Sequence, residues 1–349
     1  MRKIYNFLSS VKLAVAIFFL LASGSIAGTL IEQGLSPEEY ITRYGEKWYR
    51  WIQAIRLTDV YHSWWFSGLL VLLAVNLAAC LSKRFPAIWR AYSAVDCDFT
   101  HNLVLNFKHH TLVPFRGGME DARRKVESSL KELKYKFWLE NNHGSISMFA
   151  TKGAIGRLGP VISHTSIFLI LIGAAISSAV GFRSFLPIYE GVPVHVPEGN
   201  FTIVLDKFWI DYYENGKVKD YFSTLTIIDN GKSVLKKTIQ VNDPLKYKGI
   251  WFYQNGNVDA DTAPQYSGLL IAKDPGVNIV WAGSGLLMVG LLISFFIFHR
   301  RLWISIVPTE NSALIYIGGI SNKDTTGLET EMDRLINDIQ SVGGLRGAN

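Results

Sequence analysis

LGPVISHTSIFLILIGAAISSAV, residues 158–180, runs for 23 positions without an Asp, Glu, Lys or Arg. A helix rises about 1.5 Å per residue, so about 20 apolar residues cross a hydrocarbon core of about 30 Å. Three further runs are of that kind: LAVAIFFLLASGSIAGTLI at 13–31, WWFSGLLVLLAVNLAACL at 64–81, and 277–298. Lipid offers a backbone amide no hydrogen-bond partner, and an isolated run satisfies its own amides only as a helix. Together with the stretches between them, the runs predict a polytopic α-helical membrane protein: four transmembrane helices, a large extracytoplasmic antiparallel β domain and a small cytoplasmic α+β region.

The flanking charges give the orientation. Segment 1–12 holds three basic residues and no acidic one, and 82–157 holds thirteen basic against seven acidic. Segments 32–63 and 181–276 are balanced, at four against five and ten against eleven. Lys83-Arg84, Arg157 and His299-Arg300-Arg301 abut the ends of spans. Basic flanks stay in the cytoplasm, so 1–12, 82–157 and 299–349 are expected inside, with loop 32–63 and domain 181–276 outside. Trp64, Trp65 and Trp303 read as interfacial anchors. Met-Arg-Lys ahead of 13–31 has the form of a signal peptide, but the run is long enough to span and reads as a retained helix.

The net charge of +6 has its source in those flanks. Without a basic stripe interleaved with aromatics, nucleic acid is not an expected partner. Cys80 and Cys97 stand outside any C-x-x-C, so neither a dithiol redox motif nor a cysteine zinc site is expected.

Within 181–276, the segments 201–208, 221–228, 234–241, 249–253 and 269–271 are rich in β-branched and aromatic residues. Asn215-Gly216 and Asn230-Gly231 interrupt them, and Asn-Gly tolerates the positive φ of a tight hairpin. The reading is a sandwich or open barrel used for binding or docking, with His195 in a loop. In 82–157, Ala122, Val126, Leu130 and Leu133 recur at helical spacing, while 103–107 and 145–151 read as strands. His109-His110 reads as a solvated pair. Leu328, Met332, Leu335 and Ile339 share one face of a C-terminal amphipathic helix that docks on the cytoplasmic region or the membrane surface. Residues 343–349 read as a frayed tail.

An ionisable side chain inside a span marks function by default. His164 lies about five residues into the third span, roughly 8 Å deep. Neutral imidazole is a common axial ligand of haem iron. A polar residue joining helices is the other reading. His62, at the outer end of the second span, and His299, past the inner end of the fourth, are weaker ligand candidates. His62 and His164 lie near opposite faces, too far apart to share one iron.

The segments Leu8-Ser9-Ser10-Val11-Lys12-Leu13-Ala14, Tyr61-His62-Ser63-Trp64-Trp65-Phe66, Gly156-Arg157-Leu158-Gly159-Pro160 and Asp274-Pro275-Gly276-Val277, with His299-Arg300-Arg301-Leu302-Trp303, resemble the ResB (CcsB) family of cytochrome c biogenesis proteins in order and spacing. The resemblance implies a System II haem-delivery complex in a bacterial cytoplasmic membrane. A CcsA/ResC-type membrane protein would be the partner and apocytochrome c the acceptor. Haem b would be held transiently and shared with that partner, with His164 as the axial ligand carried over from the family. A separate thioredoxin-like protein would keep the acceptor thiols reduced. The lyase half would belong to the partner, leaving this chain auxiliary or non-catalytic. The competing expectation is a non-haem membrane-anchored scaffold whose β domain binds a partner.

Overall fold

The computed structural model describes residues 2–142, 144–255, 266–310 and 312–342. From the N-terminus come helices α1 (Arg2–Leu8), α2 (Val11–Leu30), α3 (Pro37–Tyr44), α4 (Glu46–Ala54), α5 (Trp64–Ser93) and α6 (His101–Leu105). Strand β1 (His109–Phe115), helix α7 (Met119–Glu132), strands β2 (Lys136–Asn142) and β3 (Ser145–Lys152), and helix α8 (Gly159–Val180) follow. Then come β4 (Phe182–Tyr189), β5 (Pro193–Val196), β6 (Phe201–Tyr212), β7 (Val218–Asp229), β8 (Lys232–Ile239), β9 (Leu245–Tyr247), β10 (Ile250–Gln254) and β11 (Tyr266–Lys273). Helix α9 (Val277–Phe296), strands β12 (Arg300–Thr309) and β13 (Ser312–Ser321), and helix α10 (Thr325–Val342) complete the described chain. The expected tail 343–349 lies outside the described residues.

Helices α2, α5, α8 and α9 are the ones among the described residues long and apolar enough to span a membrane. Helix α5 has 30 residues, about 45 Å of rise, and so exceeds the hydrocarbon thickness. Two compact units divide the chain, one of Met1–Phe168 with Ser284–Asn349 and one of Leu169–Gly283.

In the first unit, α2 and α5 approach closely because α2 presents glycine where they meet. A Cβ on Gly24 would stand 2.9 Å from the Trp65 ring, and one on Gly28 3.1 Å from Val60 Cβ. Buried Asn76 donates to the carbonyls of Leu8 (2.5 Å) and Ser10 (3.1 Å), which satisfies backbone freed at the break between α1 and α2. The first turns of α8 and the last turns of α9 meet the same way, since a Cβ on Gly290 would sit 2.6 Å from Ser163 Oγ. The intervening segment 32–63 contains α3 and α4. Helix α3 opens on a full capping box formed by Ser36 and Glu39.

The five-stranded sheet of this unit runs β1-β13-β12-β3-β2, every pair antiparallel. Its strands come from both 109–152 and 300–321, with β12 at the centre and β13 joining it to β1. Alternation along β12 separates two faces. Leu302, Ile304 and Ile306 join a core with Ala122, Val126 and Leu130 of α7 and Leu328, Met332, Leu335 and Ile339 of α10. Trp303, on the other face, packs with Phe99, Val104 and Phe149. Residues 103–107, read above as a strand, instead begin in α6. A short apolar run fits either period, and here Val104 is buried against Trp303 and Phe149 as one turn of helix.

In the second unit, two four-stranded antiparallel sheets, β4-β11-β10-β9 and β5-β6-β7-β8, share one core. Ile203, Leu205, Leu225, Ile227, Phe252 and Leu269 are fully buried there. The β7–β8 turn carries Asn230 and Gly231 at φ 51° and 74°, the double positive pair that a type I′ hairpin needs. Between β6 and β7 only Gly216 has positive φ, and a wider turn closes through Tyr213 N–H to the Lys217 carbonyl. His195 belongs to β5, not to a loop.

Candidate functional site

Pro160 stands one residue into α8, where its missing N–H costs the helix nothing. His164 follows one turn later, and its Nδ1 lies 2.5 Å from the Pro160 carbonyl oxygen. A carbonyl only accepts, so Nδ1 carries the hydrogen and Nε2 keeps the lone pair. The ring is exposed on the helix surface. Among the described residues no side chain engages Nε2. A histidine oriented through one nitrogen, with the other free, is the arrangement that metal-ligating imidazoles use.

Ser163 and Ser166 on α8 are buried, so His164 belongs to a different stripe. Val161 and Phe168, three and four residues from it, line an apolar groove together with Thr165 and with Leu77, Ala78, Leu81, Ser82 and Phe85 of α5. The groove encloses about 350 Å³. His164 is not itself a lining residue, but it lies one turn from the lining residues Val161 and Phe168, and its Nε2 is uncommitted among the described residues.

His62 precedes α5 and is also exposed, with Nδ1 2.7 Å from Asp59 Oδ1. The carboxylate holds the Nδ1 hydrogen and leaves Nε2 open. About 20 Å of helix rise separates the start of α5 from Leu77 in the groove, so His62 and His164 are separate stations.

His299 differs. It is 2% exposed, its Nδ1 accepts from Arg157 Nε at 2.5 Å, and its Nε2 meets Thr151 Oγ1 at 2.8 Å. Both ring nitrogens are committed, so the geometry leaves none for iron. Burial, with the charges of Arg157 and Arg301, lowers its pKa to about 4, which keeps it neutral at physiological pH.

Sequence reading did not foresee this cluster. Thr151 is the cross-strand neighbour of Arg301, and Arg301 lies over the Trp303 ring at 5.1 Å. On the opposite face Arg300 meets Asp324 and, at 2.6 Å, Glu331. Glu331 also takes Lys152 Nζ and the Tyr135 hydroxyl, each at 2.6 Å. Burial pushes the Glu331 carboxyl up, but these donors and the Arg300 charge outweigh it and hold it below its ordinary value. The available signal was the adjacency Arg300-Arg301, since neighbours on a strand point to opposite faces. Among the described residues no group of three or more His, Cys, Asp or Glu is arranged to hold a metal ion.

A sequence model described as the ResB-like family matches residues 11–263 and 258–333. The chain is 27% identical over 439 residues to the cytochrome c biogenesis protein CcsB of Microcystis aeruginosa, covering 95% of this chain and 94% of that one. It is 26% identical to the CcsB of Gloeobacter violaceus (96% and 90% covered) and 26% to that of Trichormus variabilis (97% and 93%). A solved structure named Cytochrome c Heme Lyase CcmF aligns with a TM-score of 0.34 at 12% identity, over 72% of this chain and 44% of that one, a likeness too slight to carry an argument.

Proposed function

Because the chain belongs to the ResB-like family, we propose that it is a subunit of a System II cytochrome c synthase complex. With a CcsA/ResC-type partner it moves haem across the membrane and presents it for attachment to apocytochrome c. Relatives named for cytochrome c biogenesis, aligned over nearly the whole chain, support the general role. The observation that carries the chemistry is the Nε2 of His164, unengaged among the described residues, one turn along α8 from residues that line the α5–α8 groove.

In this reading haem b is cargo. It enters from the cytoplasmic half, lies in the groove and takes His164 as one axial ligand, with the opposite ligand from the partner. Two ligands from two chains make haem retention depend on assembly. His164 orients the iron through the tie to Pro160, and the apolar walls exclude water. The chain is auxiliary, and thioether formation falls to the partner. The acceptor thiols must arrive reduced, which a separate thioredoxin-like protein provides.

The membrane is the bacterial cytoplasmic membrane, with both termini and the five-stranded sheet inside and the β sandwich outside. Basic flanks support this orientation. The shared sheet agrees with an even number of spans, α8 and α9, between 109–152 and 300–321, which leaves both on one side.

The test is to co-express the chain with its CcsA/ResC-type partner, purify the complex and record reduced-minus-oxidised haem spectra. His164→Ala is expected to lose most of the haem signal while the complex stays assembled. His62→Ala is expected to lose less, and an equal loss would promote His62 to the same rank. Haem content unchanged in His164→Ala removes that residue as a ligand. A wild-type complex that is colourless under every condition favours the membrane-anchored scaffold.

A further inference from the structure

Arg157 and Arg301 form a pair of like charges that the protein does not neutralise. Arg157 stands two residues before α8, and Arg301 five residues after α9, so both lie where membrane helix gives way to sheet. Both are half-buried. Arg157 spends Nε on a neutral imidazole, and its other N–H groups have no partner among the described residues. Arg301 donates no side-chain hydrogen bond and makes no ion pair among them, and its plane rests over Trp303. The two are near enough that burial and the Arg157 charge together depress the basicity of Arg301, against a weaker opposing pull from exposed Asp96.

Arg157 reaches His299, His299 reaches Thr151, and Thr151 is the cross-strand neighbour of Arg301, so two half-buried guanidinium groups lie close together and repel unless an anion lies near both. Their planar forks match the paired oxygens of a phosphate. The first amides of the 22-residue α8, beginning beside Arg157, add positive potential in the same place. A basic pocket at the cytoplasmic ends of membrane helices is a recurrent seat for an anionic headgroup.

We propose that Arg157 and Arg301 bind the phosphate of an anionic phospholipid from the adjoining leaflet. The depth favours this source, because a headgroup phosphate resides at the boundary that both arginines occupy. The proposal does not depend on the haem reading.

The experiment uses the full chain in mild detergent, titrated with phosphatidylglycerol and with phosphatidylcholine and read by native mass spectrometry. Wild type is expected to prefer phosphatidylglycerol, and Arg301→Gln to weaken that lipid about tenfold. Arg301→Lys, which keeps the charge and loses the fork, is expected to fall between. Because Arg301 has no hydrogen-bond or ion-pair partner to lose among the described residues, only its contact with the Trp303 ring, Arg301→Gln should melt within a few degrees of wild type in phosphatidylcholine, which separates loss of binding from loss of fold. Equal affinity of wild type for the two lipids, or unchanged phosphatidylglycerol binding in Arg301→Gln, would overturn the proposal. Inorganic phosphate displacing the lipid at comparable concentration would overturn the lipid source. So would a complex in which Arg301→Gln sheds haem and retains its phosphatidylglycerol, since the pair would then serve the carboxylates of haem.

Discussion

The two faces of strand β12 answer burial differently. On one face Arg300 meets Asp324 and Glu331, and Glu331 also accepts from Lys152 and Tyr135, all under the cover of α7 and α10. On the other face, among the described residues, Arg301 pairs with no carboxylate, the Trp303 indole N–H and the Ser305 hydroxyl are buried without partners, as Arg300 Nε is on the first face, and the cover is a single turn, α6, with a few aromatic rings. Burial opposes the charge of both arginines, yet the carboxylates raise the basicity of Arg300 while Arg157 helps lower that of Arg301. A charge network that closes on itself serves the fold. One left open beside a membrane boundary is available to something outside the chain.

The sharpest test substitutes the two neighbours identically. Arg300→Gln takes the guanidinium from Asp324 and Glu331, leaving Glu331 with Lys152 and Tyr135, and should cost about 3 kcal/mol of stability, read as a lowered melting temperature in detergent. Arg301→Gln should stay within about 1 kcal/mol of wild type. Equal losses would erase the contrast between the faces.

Acid should act next, through His299. Its folded pKa is depressed below 6.5, so the unfolded chain binds the proton more readily. The associated stability is present above about 6.5 and is lost as pH falls toward about 4, by about 3 kcal/mol in all. Protonation puts a third cation beside Arg157 and Arg301. His299→Gln should flatten that limb of the stability profile, leaving only the titration of carboxylates such as Glu331 and Asp324. A limb of unchanged depth in the variant assigns acid sensitivity to the carboxylates instead.

The smallest effect belongs to Ser305, which is fully buried with an unpartnered hydroxyl. Ser305→Ala deletes a desolvated polar group and should be neutral or stabilise by up to about 1 kcal/mol in denaturation melts. A clear loss of stability would reveal a bound water or other partner on that face.

The four spans were legible because lipid imposes a length and excludes charge, and Asn230-Gly231 was legible because few residue pairs accept positive φ twice. Strands β12 and β13 were not. Buried on both faces, Leu302–Ile306 lacks the alternation that marks a half-exposed strand, and it follows closely on an apolar span. Segment 103–107 failed for a related reason, being too short to reveal its period. Helix α3 has its sign in Ser36-Pro37-Glu38-Glu39, a capping residue, a proline and the reciprocal glutamate. At the candidate site, the position of His164 within its span was readable, but its bond to Pro160 was not. Arg157 and His299, 142 residues apart, meet only because two membrane helices return the chain to one sheet.

That sheet order, β1-β13-β12-β3-β2, also governs how the protein is made. The outer strands leave the ribosome first, and the two that join them come only after α8, the sandwich and α9 have been synthesised. Until then β1 and β3 have open edges, which invite wrong pairing. The five-stranded sheet can therefore close only once residue 321 has been synthesised. A chain whose α8 or α9 fails to insert cannot bring β12 and β13 to β1 and β3, and its sheet edges stay open.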